Sequence, residues 1–409
     1  MRILIIGKYP PIEGGVSSRT YWLAHALAKR GVEVTVLTNA FRVEESYREK
    51  LDLSDEETQK RFEGPNINVR SLNTPPPRHI PYSEAYVSCL VSAGLEIIGE
   101  KKYDLIYTHY LEPYGTASLF LKQLTGIPYV AQHAGSDIYR LLQSPELVRL
   151  LGTVLIRADG VFLSRSLKSL SNTLGLKTSK VHHIPRVGIP PEFSPEGEGF
   201  LFAKYGVSEP PKNIPLVTYI GKIGKNKSLL SLCKALQNTS SDFRLFLVTR
   251  IEPERVFAKF LLENPAFAEK VICPGFLPPW EIPRILRSST LLAHLEHKFP
   301  IPIHSPIQPF EGIASGTPLL LSAEIHKKVG FSLPATKHLL NVVEDPDDIP
   351  ALTGKIKEVL QDREKVKQNA ARIREEFLSS SRWDTYVENY MNVFEKVTRK
   401  RRGFFRLAD

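Results

Sequence analysis

The sequence has 409 residues, enough for two domains with a buried core each. Its usage is 42% hydrophobic, 24% charged and 9% aromatic. This ordinary globular balance excludes a disordered chain, a collagen-like fibre and a coiled-coil rod. Lysine and arginine outnumber the acids 54 to 44, a net charge of +10 that suits anionic partners such as nucleotide phosphates or an anionic membrane surface. No run of 18 apolar residues occurs, so no spanning helix is expected. The opening MRILIIGKYPP is too short for a signal-peptide core and reads as a first strand. A cytoplasmic location, with membrane association at the inner face, is the expectation. Cys89, Cys233 and Cys273 share no metal or redox spacing and are expected to be buried thiols.

In chain order, Arg2–Ile6 predicts a buried strand closed by Gly7. Val16–Lys29 carries a helical stripe, with Gly31 at the C-cap, and Glu33–Thr38 is a second strand. This strand–helix–strand unit implies a parallel sheet. Asp104–Thr108, Tyr129–Gln132, Val161–Leu163 and Lys180–Ile184 continue the strands. The Pro/Gly-rich stretch 185–215 marks a boundary. The pattern restarts with strands at Leu216–Ile220, Arg244–Val248, Val271–Ile272, Leu291–Ala293 and Leu319–Ser322. It turns helical from Asp347, ending in an amphipathic helix over Arg382–Arg402. The expected domains are 1–190, 191–380 and a helix-plus-tail segment 381–409. Ligands of such sheets bind beyond the carboxyl ends of the strands, and a crevice between two such domains is the expected active site. Pro75–Pro77 with Pro81 reads as a surface turn.

Four segments carry chemistry. KYPPIEGGVSS places Gly14 and Gly15 between a strand and a helix, where backbone amides hold an anion. QHAGSD puts His133 at a strand's carboxyl end, with Ser136 or Asp137 as a helix cap. GKIGKNKS brings Gly221, Lys222, Lys225 and Lys227 between a strand and a helix, a diphosphate-holding arrangement that lacks the Walker A pattern. PIQPFEGIASGTPLLLS places Pro306 in a first helical turn, Glu311 inside the helix to accept ribose hydroxyls, and Gly316 at its end. His294, Glu296, His297 and His304 lie close in sequence but lack the HExxH spacing, and no metal is expected.

These segments, in this order, resemble glycosyltransferase family 4 of the GT-B fold over nearly the whole chain. HAGSD is similar to that family's His-Gly-Asp segment, IPRVGIPPEFSP to its domain-closing stretch, and GKIGKNKS to its Gly-Arg-Leu…Lys-Gly loop. PGF at Pro274–Phe276 is similar to its base-meeting loop, EGIASGTPLLLS to its Glu-Ala-Met-Ala-x-Gly-x-Pro signature, and SSRWDTY to its C-terminal tryptophan helix. The resemblance implies two Rossmann-like parallel-sheet domains facing a cleft, with a C-terminal helix crossing back to the first. It implies retaining transfer of a hexose-type sugar from a nucleotide-diphosphate sugar to a glycan, lipid-linked or small-molecule acceptor, without a cofactor. His133, Lys222 and Lys227 would be catalytic. Gly14, Gly15, Gly221, Phe276, His304, Ser305, Ile307 and Glu311 would bind the donor. Charge held on the leaving diphosphate lowers the barrier.

Two positions depart from the family. The glutamate usually eight residues before the second is Ile303 here, beside His304, in a segment Ala293–Ser305 that is longer than usual and contains Glu296. Lys222 replaces an arginine and loses its bidentate fork. Alternatives are a nucleotide-sugar epimerase and a non-catalytic nucleotide or sugar binder. No nucleic-acid motif accompanies the charge. The tail RKRRGFF, Arg399–Phe405, suits an anionic membrane surface at about 1 kcal/mol per cation.

Overall fold

The computed structural model describes residues 1–40, 43–72, 84–183, 187–251 and 255–405. The chain divides into two units: Met1–Gly188 with Asp384–Asp409, and Ile189–Trp383.

The first unit holds a seven-stranded sheet of β1 (Arg2–Gly7), β2 (Glu33–Thr38), β3 (Ile67–Ser71), β4 (Leu105–His109), β5 (Tyr129–Gln132), β6 (Gly160–Leu163) and β7 (Val181–His183). Their order is β3-β2-β1-β4-β5-β6-β7, and every pairing is parallel. The strands β1, β2, β4, β5 and β6 are buried almost throughout, which is why they read as continuous apolar runs rather than alternating ones. The chain reverses its winding between β1 and β4, so the crevice of this sheet opens where Gly7 pairs with His109.

The second unit repeats the plan with β8 (Leu216–Ile220), β9 (Arg244–Val248), β10 (Val271–Ile272), β11 (Leu291–His294), β12 (Leu319–Ser322) and β13 (Asn341–Val343), ordered β10-β9-β8-β11-β12-β13. Its pairings are also parallel. The switch point lies between β8 and β11. Its core is a cluster of Leu, Phe, Val and Ile from the strands and from the helices Leu229–Gln237 and Ile349–Gln361.

The C-terminal helix Trp383–Phe405 lays its aromatic stripe on the first sheet. Tyr390 contacts Phe162 at 4.6 Å between ring centroids, and Phe394 contacts Tyr107 at 5.3 Å. Two buried phenols, Tyr107 and Tyr390, each donate to Gln132 Oε1 at 2.8 Å. The helix backbone comes close because Gly160 and Gly188 lack side chains. A Cβ on Gly188 would lie 2.4 Å from Tyr386 Cβ.

Some local expectations need correction. The helix bearing Glu311 begins at Gln308 with Pro309 in its first turn, and Pro306 precedes it. Neither Ser136 nor Asp137 caps a helix with its side chain. The Asp137 carboxylate instead accepts the amides of Leu111, Ala134 and Ile138, tying two strand-end loops together. The cysteines are free thiols, of which only Cys233 is buried. The proline turn at 75–81, Ile184 to Arg186 of the domain-closing stretch, and the side chains of the basic tail beyond Arg399 lie outside the described residues. Among the described residues, no helix is long and apolar enough to cross a membrane.

Candidate active site

At the first unit's switch point, β1 ends in a loop that enters the helix Gly15–Lys29. Gly14 sits just before that helix at φ 116°, a conformation that excludes most side chains, and leaves the helix N-terminus open. Gly15 is the first helical residue. His133 follows β5 and is buried, with burial lowering its pKa to about 4. The amides of Gly135 and Ser164 point at its Nδ1 and Nε2, each at 3.1 Å, so both ring nitrogens face the protein's own backbone. Beside it, burial raises the Asp137 carboxyl to about 6 against the pull of its amide donors.

The second unit gathers more of the expected residues. Gly221 closes β8 at φ 130°, and a Cβ there would lie 3.9 Å from Gln308 Nε2. The glycine loop therefore abuts the N-terminus of the helix that carries Glu311, which is buried in its first turn. Ile307 is half-buried just before that helix, and Ser305 is exposed. Lys222 is exposed, while its carbonyl accepts Tyr219 Oη at 2.6 Å. Phe276 is buried beyond β10, next to Gly275 at φ 98°.

Lys227 is placed by its neighbour. Asn226 donates to the carbonyls of His297 at 3.2 Å and Lys298 at 2.6 Å, and its own carbonyl accepts the His297 amide. This stitch binds the loop after β8 to the loop after β11. It sets the Lys227 ammonium against the Glu296 carboxylate and 4.6 Å above the Phe299 ring. The Glu296 side chain is wholly buried. His304 Nε2 lies 3.3 Å from the same carboxylate oxygen, and Lys328 lies 3.8 Å from the other. Burial opposes the charge on Glu296, but His304 and Lys227 overcome it and hold the carboxyl down at about 2. His294 on β11 is buried with its Nε2 unpartnered. Burial, aided by the charge of Lys227, lowers it to about 3.

Thus the structure brings Gly221, Lys227, His304 and the Glu311 helix together at the β8/β11 switch point. Gly14, Gly15 and His133 belong to the other unit, and Phe276 lies beyond β10. Sequence reading did not find the Glu296 contacts or the part played by Asn226. Only the unusual length of the loop after β11 signalled them. Nearby, His297 faces Asp345 at 3.5 Å through Nδ1 and Asp347 at 3.2 Å through Nε2. Lys298 lies 4.0 and 3.9 Å from the same two carboxylates, making this an ion-pair cluster with its own cation.

Two parallel sheets with basic and carboxylate-bearing loops at their switch points define a GT-B glycosyltransferase. Residues 14–186 match the model of the glycosyl transferase 4-like domain, and residues 204–376 match that of the glycosyl transferases group 1. The chain belongs to this group 1, family 4-like set of glycosyltransferases. Solved structures share its fold. A sucrose-phosphate synthase from Thermosynechococcus elongatus is 18% identical at a TM-score of 0.68, over 98% of this chain and 100% of that one. Anabaena Alr3699/HepE, solved in complex with UDP and glucose, is 16% identical at 0.64, over 97% and 100%. A glycosyltransferase from Rickettsia africae is 16% identical at 0.62, over 97% and 98%. No curated protein sequence matches the chain at a significant level.

Proposed function

We propose that this glycosyltransferase moves a hexose-type sugar, with retention at the anomeric carbon, from a nucleoside diphosphate sugar to a glycan, lipid-linked or small-molecule acceptor. The observation that carries this reading is the meeting of the Gly221 loop with the N-terminus of the Glu311 helix at the β8/β11 switch point. Lys222 and Lys227 there suit a diphosphate. Buried Glu311 suits the two hydroxyls of a ribose, and the Gly275–Phe276 bend suits a base. The UDP complexes of the Anabaena structure favour the same ligand class. The loops supply charge without a metal, so transfer is expected to survive chelation by EDTA. The basic tail is assigned an anionic membrane surface, read by co-sedimentation with vesicles rich in anionic lipid.

The test is a thermal-shift panel of UDP, GDP, ADP and their sugars, run with Glu311→Ala. A ligand at a hundredfold excess over its dissociation constant adds about 2.7 kcal/mol to stability. A base-selective shift that disappears in Glu311→Ala supports the donor site. A flat panel removes it. NMR of the product anomer then reads retention against inversion.

A further inference from the structure

Glu296 is a carboxylate that touches the loop assigned above to the donor diphosphate, and it does so from inside the protein. One of its oxygens, Oε2, is shared by Lys227 Nζ and His304 Nε2. Both partners also lie on Phe299: Lys227 sits 4.6 Å above its ring, and the His304 ring is 4.4 Å from it, inclined by 33°. Both therefore meet at one carboxylate oxygen, Lys227 through a hydrogen bond and His304 through proximity alone. His304 keeps about a third of its side chain exposed and Lys227 a quarter, whereas Glu296 exposes none. The carboxylate cannot reach a ligand without leaving its pocket, but the two groups it holds can.

We propose that Glu296 is a positioning residue that aims His304, as an imidazolium, beside Lys227 at the donor diphosphate. This inference rests on the donor-site reading above. It answers two departures at once. Ile303 offers no polar group, and Lys222 offers a point charge where a guanidinium would make two hydrogen bonds. With Nε2 facing Glu296 at 3.3 Å, an imidazolium has a second N–H on its other ring nitrogen to offer a ligand. As the sugar C1–O bond breaks, its electron pair stays on the diphosphate oxygen, and this N–H donates to that growing charge.

The charged groups around His304 come from three elements. Glu296 and His294 come from β11 and its end, Lys227 from the loop after β8, and Lys328 with its partner Glu324 from the helix Ala323–Gly330. These include two ammoniums and two carboxylates. A bound diphosphate would add negative charge beside His304, which favours the imidazolium form.

The experiment is calorimetric titration of the full chain with UDP, GDP and ADP between pH 6 and 8.5, in buffers of different ionisation enthalpy, with uridine, guanosine and adenosine as controls. Wild type is expected to take up a fraction of a proton per diphosphate at pH 7.5. Its affinity is expected to fall by up to about tenfold per pH unit as the imidazole loses its proton. The terminal phosphate of the nucleotide titrates near pH 6 and pulls the other way. The diagnostic is therefore the difference from His304→Gln, in which uptake and slope reduce to the nucleotide's own. Glu296→Gln is expected to lower the uptake, because an uncharged partner favours the neutral ring, and to leave nucleoside binding unchanged. Nucleoside binding and melting temperature report whether each variant still folds. Wild-type uptake persisting in His304→Gln overturns the proposal, and unaltered uptake in Glu296→Gln overturns the part given to Glu296. Failure of wild type to bind any of the three diphosphates refutes the donor-site reading itself, and the dyad falls with it.

Discussion

Removing the Lys227 ammonium should destabilise the second unit, not merely weaken a ligand. Lys227→Ala leaves a wholly buried carboxylate with His304 at 3.3 Å and Lys328 at 3.8 Å as its remaining neighbours. The fall of the Glu296 carboxyl from 4.5 to about 2 corresponds to about 3 kcal/mol of preference for the charged form. Breaking a buried pair by deleting one partner costs about 3–5 kcal/mol. Lys328 and His304 stay beside it and Lys227 is a quarter exposed, so about 2 kcal/mol is the better figure. In a unit of this size, that lowers the melting temperature by roughly 4–8 °C. Lys225→Ala, on the same turn but exposed, should stay within about 0.5 kcal/mol of wild type. Adding Glu296→Gln to Lys227→Ala removes the stranded charge and should recover most of the loss. The pH sign follows from a depressed acid: its contribution is complete above pH 4.5 and disappears as pH falls through about 2. Wild type should therefore show no loss from this group between pH 5 and 8. Differential scanning calorimetry of the four proteins decides the matter. If Lys227→Ala and Lys225→Ala melt together, the Glu296 pocket does not need its lysine and the reasoning is wrong.

Other consequences are equally direct. Lys227→Ala should weaken nucleoside diphosphate binding by at least tenfold, and Lys225→Ala by less than threefold; equal losses in titration calorimetry would move the phosphate site off Lys227. Gln132→Leu takes the acceptor from the buried Tyr107 phenol and leaves Tyr390 its contact with Tyr386 Oη, at a cost of about 1–3 kcal/mol, whereas Tyr390→Phe leaves Tyr107 bonded to Gln132 and costs about 1 kcal/mol. Urea denaturation should rank them in that order, and equal effects would deny Gln132 its double acceptor role. Gly188→Ala drives a methyl against the Cβ of Tyr386, which cannot rotate away, and should cost about 1–3 kcal/mol or more. An unchanged melting curve would show that the helix seats elsewhere. Asp137 has the opposite pH sign to Glu296. Its carboxyl rises from 3.8 to about 6 on folding, so stability falls by about 3 kcal/mol as pH climbs through that window. Asp137→Asn should abolish that slope in denaturation curves taken from pH 4 to 7.

The strands that sequence revealed are those buried on both faces. RILII, EVTVLT and LVTYI announce themselves because a parallel sheet covered by helices leaves no polar face to break the run. The strands it missed, β3 and β13, lie at sheet edges. INVRS is mostly half-buried, and NVV is three residues long. These two bury too little to leave a hydrophobic pattern, although the edge strands β7 and β10 were legible. The helix Glu84–Glu100 was also missed, although Tyr86, Leu90 and Ile97 are buried at helical spacing. Its Gly94 is held against Leu121, a packing that no local rule signals.

The candidate site divides along the same physical line. Glycines forced to positive φ, such as Gly14 and Gly221, sit at strand ends in any sequence, and so the two loops were legible. Side-chain partnerships across loops were not. Counting eight residues back from Glu311 lands on Ile303 and makes the site seem to lack a carboxylate. The fold supplies one from Glu296 instead, at the end of β11 and seven residues earlier. Asn226 stitches the two loops so that the charge arrives under Lys227. Linear spacing assumes a fixed path between two residues. Here the loop after β11 folds back through Phe299, placing His304 where arithmetic predicted an acid and the acid behind it. A carboxylate moved from the surface of a site to its interior no longer accepts bonds from a sugar. On the proposal above, it orders Lys227 and His304 for the donor diphosphate instead.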